Sequence, residues 1–199
     1  MLSIGTGLSL SVAIIASGVV GLAAAPAEAV TTPACAIGTW HLDRKATNTT
    51  VDGEKDWTKR SGATGVKLTI GKKYAVYSFT GSTREYATGV TNGEQFAWSV
   101  AYKGNLRVKL NLNGSARGFI KLDGRSASGN ATSQSVSTEP RPRTDPVRSV
   151  VKDLKKGHAD SMVPAGAKFT CSRKQLVMRE EYDMLGYKFT NTLTFRRIK

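Results

Sequence analysis

The chain of 199 residues is poor in the residues from which catalytic and metal sites are usually built. It has 2 cysteines and 2 histidines, and neither Cys35 nor Cys171 has a cysteine or histidine at the spacing of a zinc site. No phosphate-binding loop, dinucleotide fingerprint or calcium-loop motif is present. The segment Gly114-Ser115-Ala116-Arg117-Gly118 has its serine at the wrong position for a nucleophile elbow. We therefore expect no enzymatic activity, no metal and no cofactor.

The start of the sequence lacks charge. Residues 1–27 contain no charged side chain, and their apolar run breaks at Pro26 before Ala27-Glu28-Ala29. This small-x-small sequence is typical of a signal peptidase site. We predict a signal peptide over residues 1–29, cleaved after Ala29, and a single mature domain over residues 30–199 outside the cytoplasm. The alternative is an uncleaved membrane anchor, because about 20 apolar residues can span a bilayer.

Acidic residues are scarce, with 15 Asp and Glu against 29 Lys and Arg and a net charge of +14. Such a field attracts polyanions. Outside the cytoplasm these are anionic envelope polymers or a membrane surface, and nucleic acid is a less favoured partner. The alternative is a positive surface that only keeps the protein soluble. We predict a basic surface formed by Arg141, Arg143, Arg148, Lys152, Lys155 and Lys156.

One small acidic group stands out, formed by Glu180, Glu181 and Asp183. Paired carboxylates can catalyse glycoside hydrolysis when their spacing is right. We predict instead that these three residues lie on the outer face and turn of the last hairpin.

The apolar residues lack the heptad period of a coiled coil and alternate with polar residues instead. Residues 66–70, 96–100 and 106–112 show this alternation clearly, which is typical of strands with one face in a core. Asn92-Gly93, Asn113-Gly114 and Asp123-Gly124 separate strand-like runs and are strong hairpin signals. Residues 48–62 are predicted as a loop, and residues 125–138 as a weak strand or loop.

These signals predict an all-β fold in which about eight to ten antiparallel strands form one closed or nearly closed barrel. One helix interrupts the strands. Asp145 is suited to cap it, Pro146 to its first position and Gly157 to its end. Its apolar stripe consists of Val147, Val150, Val151 and Leu154. We predict this amphipathic helix over residues 145–157, before the last two strands.

The two cysteines fit an oxidising compartment. Cys35 and Cys171 are far apart in the sequence. A single pair of cysteines in such a compartment most simply forms one disulfide. The alternative is two free thiols.

Gly38-Thr39-Trp40 follows the first cysteine, and residues 193–198 contain Arg196 and Arg197. In this layout the chain resembles secreted bacterial lipocalin-like proteins of the calycin type. Their first strand begins with Gly-x-Trp, and an arginine near the C-terminus packs across the tryptophan. The resemblance implies structural roles for Gly38, Trp40 and either Arg196 or Arg197. The chain departs from the lipocalin pattern in one respect. Its predicted helix comes before the last two strands, whereas lipocalins place their main helix after the eighth strand.

A closed barrel of this size can hold one apolar ligand. We therefore predict a secreted, monomeric binding protein that carries a small apolar molecule or lipid. The alternatives are a basic envelope-associated protein, and an inhibitor or partner of another secreted protein that acts through residues 44–62 or 125–145. The residues expected to line either the ligand cavity or a packed core are Val66, Leu68, Val76, Phe96, Trp98, Leu106, Val108, Leu193 and Phe195.

Overall fold

The computed structural model describes residues 35–51, 57–184 and 187–198, so the predicted signal peptide lies outside the described residues. These residues form strands and one short helix, and no helix among them is both long and apolar enough to cross a bilayer. The strands are β1 (Gly38–Val51), β2 (Trp57–Gly62), β3 (Lys67–Ile70), β4 (Tyr74–Ser78), β5 (Glu85–Thr91), β6 (Glu94–Lys103), β7 (Asn105–Gly114), β8 (Arg117–Gly129), β9 (Thr132–Glu139), β10 (Arg143–Thr144), β11 (Arg148–Ser149), β12 (Gly166–Cys171), β13 (Gln175–Met184) and β14 (Tyr187–Arg197), and the helix is α1 (Val150–Lys155).

Eight strands close into an antiparallel barrel in the order β1-β14-β13-β12-β8-β7-β4-β3 and back to β1. The predicted all-β barrel is therefore confirmed. Alternation explains the closure, because each of these strands turns its apolar side chains inward. The whole sheet has 14 strands and exceeds the prediction, since it continues beyond the barrel.

The additional strands begin at a fork in β1. Residues 38–41 pair with β3 and close the barrel, whereas residues 46–50 pair with β2. A register shift against β14 between Leu42 and Arg44 separates the two halves. From β2 the sheet continues through β5 and β6 to β9, with β10 and β11 at its edge. We call β2, β5, β6 and β9 the wing.

The barrel interior is filled with large side chains. Trp40, Tyr77, Phe79 and Phe195 are each at most 1% exposed. Val76 departs from the predicted inward set, because its neighbours Ala75 and Tyr77 point inward and leave it on the outer face at 37% exposure. The barrel therefore encloses a packed core.

Two of the three predicted hairpin turns lie between strands. Asn92 and Gly93 have φ angles of 51° and 77° and connect β5 to β6, and Gly114 ends β7 before β8. Asp123-Gly124, in contrast, lies inside β8, where the register against β7 shifts between Arg107 and Lys109. A side chain at Gly124 would meet the Leu154 carbonyl oxygen at 2.8 Å, so this glycine lets the helix pack directly on β8.

The helix is shorter than predicted and precedes three strands rather than two. Ser149, not Asp145, caps it, and its side chain accepts a hydrogen bond from Lys152 N. Val147 is 61% exposed and lies outside the helix. Sheet pairing is the cause, because Arg148 and Ser149 pair with β9 as β11.

Both predicted polar segments are largely strand. β1 extends to residue 51 and β2 occupies residues 57–62, while β8 and β9 span most of residues 125–138. Polar residues are compatible with β2 and β9 because these two strands have no fully buried side chain and do not need an apolar face.

The two ends of the barrel sequence meet at Trp40. The Arg197 guanidinium lies 4.1 Å from the Trp40 ring and donates hydrogen bonds to the carbonyl oxygens of Cys35 and Ile37, at 2.6 and 3.2 Å. Arg196 points outward and pairs with Asp43 at 3.0 Å. A disulfide joins Cys35 to Cys171, with their Cα atoms 6.0 Å apart, so residues 35–37 cross this end of the barrel.

Candidate functional site

The residues predicted to line a cavity do not surround one common space. Phe96 and Trp98 are half-buried on the wing, where Trp98 packs against the edge of the core, and Val76 is on the outside. The remaining residues lie in or against the packed barrel core, namely Val66, Leu68, Leu106, Val108, Leu193 and Phe195.

A cleft of about 540 Å³ opens beside the barrel, between β7, β8 and the segment that follows α1. We call it the α1 cleft. Apolar side chains line most of it: Val108, Leu110, Leu122, Leu154, Ala159 and Val163. Val108 is the one predicted cavity residue that reaches it.

The irregularity of β8 creates the α1 cleft. Ser126 Oγ accepts a hydrogen bond from Lys109 N at 2.7 Å and donates one to the Asp123 carbonyl oxygen at 2.6 Å. These bonds replace the regular ladder where the register shifts, and Asp123 Oδ1 accepts from Arg125 N at 3.2 Å. β8 therefore carries a bulge against β7 at this point, and such bulges are common next to binding sites.

The rim of the α1 cleft is positive. Lys109, Lys121 and Arg125 are exposed and line it, and none of them has an ion-pair partner within the part of the chain that the structure describes. Asp123 is the carboxylate among the lining residues. An apolar cleft with excess positive charge at its edge suits a ligand with an apolar body and an anionic group.

A buried polar cluster lies next to the α1 cleft and fixes the segment of residues 160–163. Lys45 Nζ contacts Glu85 Oε1 at 2.7 Å, and both side chains are fully inaccessible to solvent. The Ser161 hydroxyl accepts a hydrogen bond from Lys45 at 2.7 Å and donates to Glu85 at 3.1 Å. Burial lowers the pKa of Lys45, and the Glu85 carboxylate opposes this effect. The cluster ties β1, β5 and this segment together.

Asp160 and Asn191 also help to attach the segment of residues 160–163 to the strands. Asp160 Oδ1 accepts hydrogen bonds from Met162 N at 2.8 Å and from the Tyr102 hydroxyl at 3.5 Å. Burial raises the pKa of Asp160 and also that of Tyr102. On the other side, Asn191 Nδ2 donates to the Ser161 carbonyl oxygen at 2.9 Å. Residues 160–163 therefore cover the end of the barrel opposite residues 35–37.

The cluster of Lys45, Glu85 and Ser161 is not predicted by the sequence. A serine hydroxyl beside a lysine amine is a pair that some enzymes use as nucleophile and base. Here Glu85 holds the amine in an ion pair, and neither Lys45 nor Glu85 has solvent-accessible side-chain surface for a substrate. The arrangement therefore supports the fold. No local motif marks it, because the three residues come from distant parts of the chain.

The predicted basic surface is partly neutralised. Arg143 pairs with Asp145 at 2.9 Å and Arg148 with Asp153 at 3.0 Å. The other four cations, Arg141, Lys152, Lys155 and Lys156, are exposed and have no ion pair among the described residues.

The acidic group divides between two faces of β13. Glu180 was predicted to lie on the outside, but it is half-buried, hydrogen bonds to Asn191, and has a pKa raised by burial. Glu181 points the other way and pairs with Arg179. The alternation of a strand separates neighbouring residues in this way, so these carboxylates do not converge. Among the described residues, no group of three or more His, Cys, Asp or Glu side chains is placed to hold a metal.

The comparisons with known proteins add no relative. No protein-family model matches the chain, and the search of curated proteins finds no significant match. The eight-stranded closed barrel and the contact between Arg197 and Trp40 are consistent with the lipocalin-like resemblance, and no family match confirms it.

Proposed function

We propose that this protein is a binding protein, not an enzyme, and that it holds a small amphipathic anion in the α1 cleft. This proposal rests on an apolar cleft whose rim bears three cations without ion-pair partners among the described residues. The apolar body of the ligand lies against Leu110, Leu122 and Leu154. Its anionic group lies at Lys109, Lys121 and Arg125.

Packing and size support the α1 cleft over the barrel interior. The interior side chains Trp40, Leu68, Leu106 and Phe195 are at most 1% exposed, so a ligand there would have to displace a close-packed core. A cleft of about 540 Å³ falls within the range of roughly 300–1,000 Å³ that is usual for small-molecule sites.

The proposed location is outside the cytoplasm. The disulfide between Cys35 and Cys171 supports it, because such bonds persist mainly in oxidising compartments. An exported carrier of amphipathic anions also agrees with the net charge of +14, which raises the local concentration of anionic ligands.

Competition binding tests the proposal. A fluorescent naphthalene sulfonate is titrated into the protein and displaced with laurate or with dodecanol, which have the same chain length but differ in charge. We expect laurate to bind about tenfold more tightly, since a charge-assisted hydrogen bond contributes roughly 1.5–3 kcal/mol. Equal affinity for the two compounds would contradict the role of the rim.

Variants locate the site. Ala165→Trp places a large side chain at an exposed position that lines the α1 cleft, and we expect it to abolish displacement by laurate. Lys121→Gln should weaken laurate binding, whereas Lys168→Gln removes the same charge from an exposed position of β12 outside the cleft and should leave it unchanged. Unaltered laurate binding in Ala165→Trp would overturn the proposed site.

A second candidate is the binding of an anionic envelope polymer by the basic surface. It is supported by the four exposed cations that lack ion pairs in the described part of the chain. Retention on an anionic matrix would then fall steeply with added salt. The inhibitor alternative stays a prediction without a specific observation in its favour, because most described residues of its predicted binding loops lie in strands.

A further inference from the structure

One row of side chains crosses the wing from edge to edge. Strand register places Arg60 of β2 opposite Ala87 of β5, Ala87 opposite Trp98 of β6, and Trp98 opposite Ser137 of β9. Ser137 is in turn opposite Arg143 of β10. Directly opposed residues of antiparallel strands share a face, so these side chains lie side by side on the same surface.

The tryptophan in this row is half-buried against the edge of the core, and its β9 side borders open space. Ala87 is small, so the Arg60 guanidinium reaches across it to lie 4.7 Å from the centre of the Trp98 ring. On the β9 side, Trp98 meets only the short side chains of Ser135 and Ser137. The ring is therefore fixed in place, and space remains beside it.

That space is a second pocket, of about 260 Å³, lined by Trp98, Ser135, Ser137, Arg143 and Asp145. We call it the Trp98 pocket. Its outer wall is ordered, because Arg143 Nη2 donates to Asp145 Oδ1 at 2.9 Å and Asp145 N donates to the Ser135 carbonyl oxygen at 3.0 Å. It shares no lining residue with the α1 cleft.

The lining combines the indole of Trp98 with hydroxyl, guanidinium and carboxylate groups. Serine hydroxyls both donate and accept hydrogen bonds, arginine donates, and ionised aspartate accepts. An acyl chain would leave these polar groups without partners, at a cost in binding free energy. A sugar ring satisfies both kinds of surface, because it has an apolar C–H face and a periphery of hydroxyls. The volume equals that of roughly nine liquid water molecules, which is the scale of one ring.

We propose that the Trp98 pocket binds one ring of a carboxylate-bearing saccharide. Arg143 and Asp145 neutralise each other within the lining, and the Arg60 guanidinium on the Trp98 ring adds a positive charge that favours an acidic sugar. Arg143 bonds Asp145 through one nitrogen and retains further N–H donors for a ligand carboxylate. The ring packs on Trp98 and its hydroxyls bond to Ser135, Ser137 and Asp145.

The test compares two trisaccharides that differ only in charge, trigalacturonate and the neutral galactose trimer. Binding is followed through the indole N–H signals of Trp40, Trp57 and Trp98 in NMR spectra, where the Trp98 signal is assigned by its loss in Trp98→Phe. We expect trigalacturonate to shift the Trp98 signal in a saturable way and to bind at least fivefold more tightly than the neutral trimer. Saturation by the neutral trimer at equal affinity would overturn the role of the carboxylate, and no shift with either sugar would overturn the site.

Matched variants separate this pocket from general attraction to a basic protein. Arg143→Gln with Asp145→Asn leaves the net charge unchanged, and we expect it to weaken trigalacturonate binding about tenfold. Arg141→Gln removes one exposed charge two positions away, outside the lining residues, and should change the affinity less than twofold. Equal losses in the two variants would contradict a specific pocket. Trp98→Phe, with its melting temperature checked, should retain weakened binding.

Discussion

Arg196 and Arg197 are neighbours in the sequence, but they lie in different environments. Arg197 covers Trp40 and bonds two backbone carbonyl groups, whereas Arg196 is exposed and pairs with Asp43. Gly38 makes room for this contact, since a Cβ atom there would clash with the Arg197 guanidinium. Alternation could have distinguished the two arginines, because Leu193 and Phe195 point inward and residue 197 continues their face.

This difference gives a direct test of the barrel closure. We expect Arg197→Gln to lower the free energy of unfolding by about 2–4 kcal/mol, because a stacked cation and two charged hydrogen bonds are lost. Arg196→Gln loses an exposed ion pair and should cost less than about 1 kcal/mol. Urea denaturation measures both values, and equal costs would be inconsistent with the Arg197 contact.

Asp160 makes stability depend on pH. Burial raises its pKa above the ordinary value of 3.8, so the folded state holds its proton more tightly than the unfolded state does. Stability is therefore highest below pH 3.8 with respect to this group and falls as the pH rises through the folded-state pKa. Each unit of the shift corresponds to about 1.4 kcal/mol.

Asp160→Asn removes this titration and keeps an oxygen to accept from Met162 N. We expect the free energy of unfolding of the variant, relative to the original protein, to increase as the pH rises from about 4 toward neutrality. Denaturation curves at several pH values give this difference. A difference that stays constant with pH would refute the raised pKa.

At the scale of elements, the Lys45–Glu85 pair joins β1 and β5 to the segment of residues 160–163. Removing one partner of a buried ion pair leaves an uncompensated charge, so we expect Glu85→Gln to destabilise by about 3–5 kcal/mol. Lys45→Met with Glu85→Leu removes both charges and should cost less than the single change. Thermal or urea unfolding of the single and double variants decides this, and additive losses would show that the two charges are not coupled.

The elements differ in how well the sequence predicts them. Asn92-Gly93 gives the turn that its sequence indicates, because strand runs flank it on both sides. Asp123-Gly124 carries an equally strong signal, yet the continuation of β8 and the packing of α1 override it. The predicted start of the helix is wrong for a similar reason. Local capping rules assign Arg148 and Ser149 to the helix, but both residues pair with β9.

At the scale of the whole molecule, the disulfide links two parts of the barrel that are separated by 136 positions. We expect Cys35→Ser with Cys171→Ser to lower the free energy of unfolding by about 2–5 kcal/mol. Melting curves of the double variant and of the oxidised original protein measure this loss. Identical melting temperatures would exclude a stabilising bridge.

The closed barrel was predictable from alternation, but the fork in β1 and the two pockets were not. The fork depends on a register shift near Leu42 and Arg44 that no local pattern marks. The α1 cleft depends on the register shift in β8, and the Trp98 pocket depends on serines of β9 in a segment predicted as a weak strand or loop. These features arise from contacts between distant segments, which the sequence of one chain does not reveal.

The pairing of β1 with β14 also sets an order in time. Trp40 lies opposite Arg197 and Thr49 opposite Phe189, so the first barrel strand has no permanent neighbour on that side until the ribosome has made the last one. The barrel of a growing chain thus stays open during most of its synthesis, and pairing between such distant segments is slow. For the export that we propose, this delay would keep the barrel open while the chain passes through a translocation channel.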